Sequence, residues 1–142
     1  MMVAISKIMI IFCLVLTLAV QLKGNELPTR VTVEITNGLT KKVLSVHCKD
    51  KNNNLGFVEL DVGQTFSFRF YPNYFLPRTL YFCYFQWIGV GHSFDIYVQK
   101  RDDYCSHNRC SWVIAENGPC MIKPLSRECF KWNPAIVASP PV

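Results

Sequence analysis

Seven cysteines and three histidines are the residues of this 142-residue chain with the widest chemical range. A cysteine can be a nucleophile, a metal ligand or half of a disulfide, and count and placement decide among these. Cys13 sits in an apolar leader, which leaves Cys48, Cys83, Cys105, Cys110, Cys120 and Cys129. An even set in a short secreted chain is a disulfide framework. Sequence leaves the connectivity open. Strand alternation points Cys48, Cys83 and Cys110 inward, and with Cys120 close by it favours Cys48–Cys120 and Cys83–Cys110, leaving Cys105–Cys129. No catalytic set is legible. His47, His92 and His107 lie outside any nucleophile motif, and paired cysteines leave no thiolate. Asp102 and Asp103 are adjacent, so an extended backbone turns them to opposite faces. Cys105, His107 and Cys110 lack a fourth ligand for zinc, and an oxidising compartment favours the disulfide. Gly89-Val-Gly91 lacks the helix and the further glycine that cradling a phosphate needs. The expectation is no enzyme, no cofactor and no metal site.

Residues 1–24 form the leader. Lys7 supplies a positive start, and an apolar run follows over residues 8–20. That is signal-peptide length, with cleavage expected somewhere in residues 19–26, and is too short for stable membrane insertion. Losing Lys7 and Lys23 leaves 13 of the 15 basic residues against 10 acidic ones, a net charge of +3. So mild a balance gives no sign of nucleic-acid binding. A single domain over residues 25–132 is expected, followed by a flexible C-terminal tail over 133–142.

The elements that must position these residues are strands. In Thr79-Leu-Tyr-Phe-Cys-Tyr-Phe-Gln-Trp87, Tyr81, Cys83, Phe85 and Trp87 share one face, and Leu80, Phe82, Tyr84 and Gln86 share the other. So many aromatics are too apolar for a strand that faces water on one side, and point to a central strand covered by a second sheet and flanked by neighbours. Strands are also expected at residues 31–35, 43–48, 57–60, 64–71, 94–98, 110–114 and 120–122. Asn37-Gly38 and Asn117-Gly118 signal hairpins. The expected fold is all-β, an antiparallel β-sandwich of about eight short strands, stapled by disulfides.

With no catalytic set, binding falls to the loops. The first candidate is the charged run Lys100, Arg101, Asp102, Asp103 and Tyr104, with an adjoining cystine to hold it rigid. The competing possibility is that Arg101 and Asp102 merely pair with each other or cap a strand. The second candidate is the proline-bounded loop over residues 72–78, with Asn73, Tyr74, Phe75 and Arg78. Residues 52–57 and 87–93 complete the set. A cell-surface receptor or other protein partner would read such loops. The alternative function is defence, as an antimicrobial or as a protease inhibitor with Arg78 as bait. Oligomeric state is not legible.

Many short pieces, in order, carry a family resemblance over residues 31–120. They include Val33-Glu-Ile-Thr-Asn37, Val46-His-Cys48, Phe66-Ser-Phe68, Phe82-Cys83, Phe85-Gln-Trp87, Phe94-Asp-Ile-Tyr97, Arg101-Asp102, Cys110-Ser-Trp112 and Gly118-Pro-Cys120. The chain resembles the plant self-incompatibility S-protein homologues. That resemblance implies a secreted, disulfide-bonded β-sandwich without enzymatic activity. Its best understood members, the stigma S-proteins, act as ligands for a receptor on incompatible pollen. Three departures stand out. Asn52-Asn-Asn54 replaces frequent acids, Leu76-Pro77-Arg78 replaces a glycine turn, and no Asn after the leader starts a glycosylation acceptor.

Overall fold

The computed structural model describes residues 2–23, 29–103 and 105–135. A leading helix, α1 (Met2–Lys23), precedes nine strands: β1 (Val31–Asn37), β2 (Leu44–Lys49), β3 (Asn54–Leu60), β4 (Thr65–Phe70), β5 (Leu80–Trp87), β6 (Val90–Val98), β7 (Arg109–Ala115), β8 (Gly118–Lys123) and β9 (Ser126–Cys129). A four-residue helix, α2 (Gln99–Asp102), follows β6. The side chains of residues 6–20 on α1 are exposed. No helix among the described residues is long and apolar enough to cross a membrane.

Strict alternation builds the sandwich. In β1, Val31, Val33, Ile35 and Asn37 are buried while the residues between them are half-exposed. β1 lies inside a five-stranded sheet of order β4-β1-β7-β8-β9, which faces a four-stranded sheet of order β3-β2-β5-β6. The expected all-β sandwich is therefore present, with two additions. β1 and β7 run parallel. β9, with all four residues exposed, is a strand only because it pairs with β8, and its sequence carries no apolar alternation to announce it.

β5 is central, flanked by β2 and β6, and Tyr81, Cys83, Phe85 and Trp87 face the core as expected. Its other face corrects the expectation that so apolar a strand cannot face water: that face is open, with Leu80 42% and Tyr84 43% exposed. The second sheet packs on one side alone.

The two Asn-Gly pairs behave differently. Asn117-Gly118 belongs to the β7–β8 hairpin, where Ala115 faces Gly118 across the ladder. Asn37-Gly38 makes no hairpin, because β1 and β2 belong to different sheets. Asn37 is instead a buried knot. Its Nδ2 donates to the carbonyls of Lys42 (2.8 Å) and Leu60 (2.9 Å), and its Oδ1 accepts from the Leu39 N–H (2.9 Å). A buried amide with three partners ties the sheet-to-sheet crossing to the end of β3. At Gly38 a Cβ would stand 2.4 Å from Val113 Cγ1, so the crossing excludes any side chain.

Beyond β9 the chain straps across the open side. Phe130 N–H donates to Pro119 O (2.9 Å) and Asn133 N–H to Ser93 O (3.0 Å), joining β8 to β6. Trp132 stacks on His92 at 4.7 Å and donates Nε1–H to Glu116 O (3.2 Å). Asn133, assigned above to the flexible tail, is thus held. Residues 136–142 of that tail lie outside the described residues.

All six cysteines are bridged, as Cys48–Cys83, Cys105–Cys110 and Cys120–Cys129. This corrects the favoured pairing Cys48–Cys120, Cys83–Cys110 and Cys105–Cys129. Facing was right, since Cys48, Cys83 and Cys110 are buried. The error lay in reaching across the sandwich. Paired strands stand about 4.8 Å apart and packed sheets about 10 Å, so inward cysteines on neighbouring strands meet first. Cys48 and Cys83 are register partners with Cα atoms 4.0 Å apart, and Cys120 and Cys129 are partners at 3.9 Å.

Two core tyrosines set an alkaline limit. Burial raises Tyr81 to about 12, aided by the charge of Asp50. Burial raises Tyr97 to about 12 as well, aided by the charges of Asp103 and Asp102. The fold favours both neutral phenols. Their contribution is complete below pH ~10 and is lost as pH rises through ~12, on the order of 2 kcal/mol each. Denaturant midpoints should therefore fall across that window. Absorbance titration showing both phenols ionising near pH 10 would refute the assignment.

Candidate partner-binding surface

The loop over residues 72–78 enters β5 and presents its largest side chains to solvent. Tyr74 is 66%, Phe75 88% and Leu76 45% exposed. Tyr74 and Phe75 meet edge to face at 5.5 Å. Pro72 and Pro77 fix two backbone torsions, and hydrogen bonds hold the turn between them. Asn73 Oδ1 accepts from the N–H groups of Phe75 (3.1 Å) and Leu76 (3.2 Å), while Asn73 N–H donates to Thr79 Oγ1 (2.8 Å). Gln99, buried at the start of α2, holds the base from below. Its Nε2 donates to Asn73 O (2.9 Å), its Oε1 accepts from Thr79 N–H (3.0 Å), and its own N–H donates to Thr79 O (3.1 Å). Arg78 is exposed beside this base. Apolar tips on a fixed base can bind a partner with little further ordering cost.

Arg101 and Asp102 do not lie in the solvated loop the charges suggested. Asp102 is 3% exposed and lies in α2. Its Oδ2 accepts from the Val98 N–H (2.8 Å), capping the end of β6. Arg101 grips it with two bonds, Nε to Oδ1 and Nη2 to Oδ2, both 2.8 Å, and donates from Nη2 to Asp95 O (2.7 Å). The guanidinium carbon stands 5.1 Å from the ring centroids of Phe94 and Phe130, and 5.3 Å from that of Trp112. The competing possibility, that the pair caps a strand, is the one realised. Lys100 and Asp103 remain exposed. Tyr104 lies outside the described residues. A four-residue helix carries no legible period. The signal that could have found it was an Arg-Asp dipeptide following a strand in a chain rich in core aromatics.

The remaining loops are simpler. Ile88 and Gly89 form a tight β5–β6 tip, with Gly89 at φ 72° and Ile88 92% exposed. Part of residues 52–57 is strand, since β3 begins at Asn54, and Asn54 Oδ1 bonds His47 Nε2 at 2.7 Å.

The described residues thus form a disulfide-tied β-sandwich with one exposed apolar loop anchored on a buried glutamine. The chain belongs to the family described as plant self-incompatibility protein S1, whose match covers residues 32–132. S-protein homolog 2 of Arabidopsis thaliana is 42% identical over 113 residues, covering 74% of this chain and 70% of that protein. S-protein homolog 5 of the same plant is 38% identical over 101 residues, covering 71% and 77%. A solved self-incompatibility protein homologue shares the fold, with TM-score 0.57 and 18% identity over 75% of this chain and 96% of that one. Its family is one of small, highly stable, secreted proteins from plants. Secretion is also the setting in which three disulfides persist.

Proposed function

We propose that this protein is a secreted, non-enzymatic signalling ligand, read by a cell-surface protein through residues 72–78. The carrying observation is the exposure of Tyr74, Phe75 and Leu76 on a base fixed by Asn73 and Gln99. Contiguous exposed apolar side chains mark interaction sites, and aromatics dominate interface energetics. In this account residues 1–24 direct export and are removed, and residues 25–132 form the acting domain.

The test is saturable binding of labelled protein to intact plant protoplasts. Unlabelled protein should compete, whereas unlabelled Tyr74→Ser/Phe75→Ser should compete at least tenfold more weakly with its melting temperature unchanged. Equal competition by the variant would remove the loop from recognition. Inhibition of a trypsin-like protease, abolished by Arg78→Ala, would replace the ligand reading with that of an inhibitor.

A further inference from the structure

A cleft of about 410 Å³ opens beside α2, between the loop that carries Cys105 and Ser106 and the β8–β9 hairpin. That is the size of a small-ligand site. A depression of about 430 Å³ continues it past His107 and Ser111, sharing Ser106, Arg109, Ile122, Lys123 and Pro124. The walls are apolar at Met121, Ile122, Pro124 and Phe130, and Arg101, Asp102 and Glu128 line it too.

Arg101 is the group the fold has not used up. Asp102 and the Asp95 carbonyl occupy its Nε and Nη2. Nη1 carries two more N–H donors and has no acceptor among the described residues. The side chain is 27% exposed, so this end remains open to the cleft that it lines. The guanidinium is held by a buried carboxylate and three aromatic rings, so presenting Nη1 costs no rotamer entropy at the moment of binding. Two more cations stand at the rim, Arg109 bonded to Glu34 and Lys123 bonded to Glu128. Exposed pairs of that kind contribute only ~0–1 kcal/mol, so either cation can turn inward at little cost.

We propose that this cleft binds a carboxylate carried on an apolar body, with the carboxylate on Arg101 Nη1 and the body against Met121, Ile122 and Phe130. The walls favour an apolar body over a polyanionic one, because only a hydrocarbon recovers energy from them. A peptide ending in an apolar residue and a small aromatic acid share this chemistry. The site lies apart from residues 72–78 and stands independently of the ligand reading above.

The test is an NMR titration of the secreted protein with N-acetyl-phenylalanine, N-acetyl-phenylalaninamide and 3-phenylpropionate. The side-chain Nε–H resonance of Arg101 should move saturably with both acids, and the amide should bind at least tenfold more weakly. Tighter binding of N-acetyl-phenylalanine would assign a peptide C-terminus, and tighter binding of 3-phenylpropionate a small acid. Ile122→Glu should weaken both acids at least tenfold, and Ile122 is 37% exposed, so the fold survives the change. Arg109→Gln should leave the saturable Arg101 shift in place while weakening its salt dependence. Equal binding of acid and amide, an unmoved Arg101 resonance, or no saturation below about 10 mM would overturn the site.

Discussion

Replacing Asp102 with Ala should cost about 3 kcal/mol of folding stability, the lower end of the range for breaking a buried ion pair, since Arg101 is 27% exposed. Two losses combine. The Val98 N–H at the end of β6 loses its acceptor, and Arg101 loses two charge-assisted bonds while still lying over Phe94, Trp112 and Phe130. A control separates them. Asp102→Asn together with Arg101→Met keeps an acceptor for Val98 and removes both charges, so it should cost less than Asp102→Ala alone. Denaturant titration of the three proteins decides it. A loss below about 1 kcal/mol in Asp102→Ala would mean that the pair behaves as an exposed one.

Removing the Cys48–Cys83 bridge should cost more than removing either of the others. It closes 35 residues, against 9 for Cys120–Cys129 and 5 for Cys105–Cys110. Chain entropy alone assigns it about 4 kcal/mol and the shortest loop about 2 kcal/mol. Cys48 and Cys83 are also fully buried between β2 and β5, so Cys48→Ala with Cys83→Ala leaves a cavity in the core. Each pair is converted to alanine in turn and the unfolding free energies are compared. Equal losses, or the greatest loss at Cys105–Cys110, would contradict this ordering.

What the sequence made legible was facing. Alternation in β5 separated its two faces, and parity turned Cys48, Cys83 and Cys110 inward, although the outer face of β5 meets water against expectation. What it left out was adjacency. Nothing in Val31–Asn37 says that its neighbour on one side is the parallel strand Arg109–Ala115, some seventy residues later. Without strand order the cysteine partners were out of reach. Asn37-Gly38 misled for a related reason. The same dipeptide that turns a hairpin can carry the chain between sheets, and only the buried partners of Asn37 distinguish the two.

The charged run at residues 100–104 shows a different limit. Adjacent charges in a sequence suggest solvent, yet Arg101 and Asp102 are bonded to each other and roof an aromatic core. The resemblance motifs had contained this cluster in pieces, as Phe94, Arg101-Asp102 and Trp112. Those pieces build the scaffold, while the exposed loop at 72–78 includes a stretch where the chain departs from the family pattern.

Recognition through residues 72–78 rather than 100–104 is tested most directly by measuring protoplast binding of labelled Tyr74→Ser/Phe75→Ser beside labelled Lys100→Ala/Asp103→Ala, with the melting temperature of each. All four residues are exposed, so both proteins should fold as the parent does. The first should lose saturable binding and the second should keep it. Retained binding by the first with loss by the second would contradict recognition through residues 72–78.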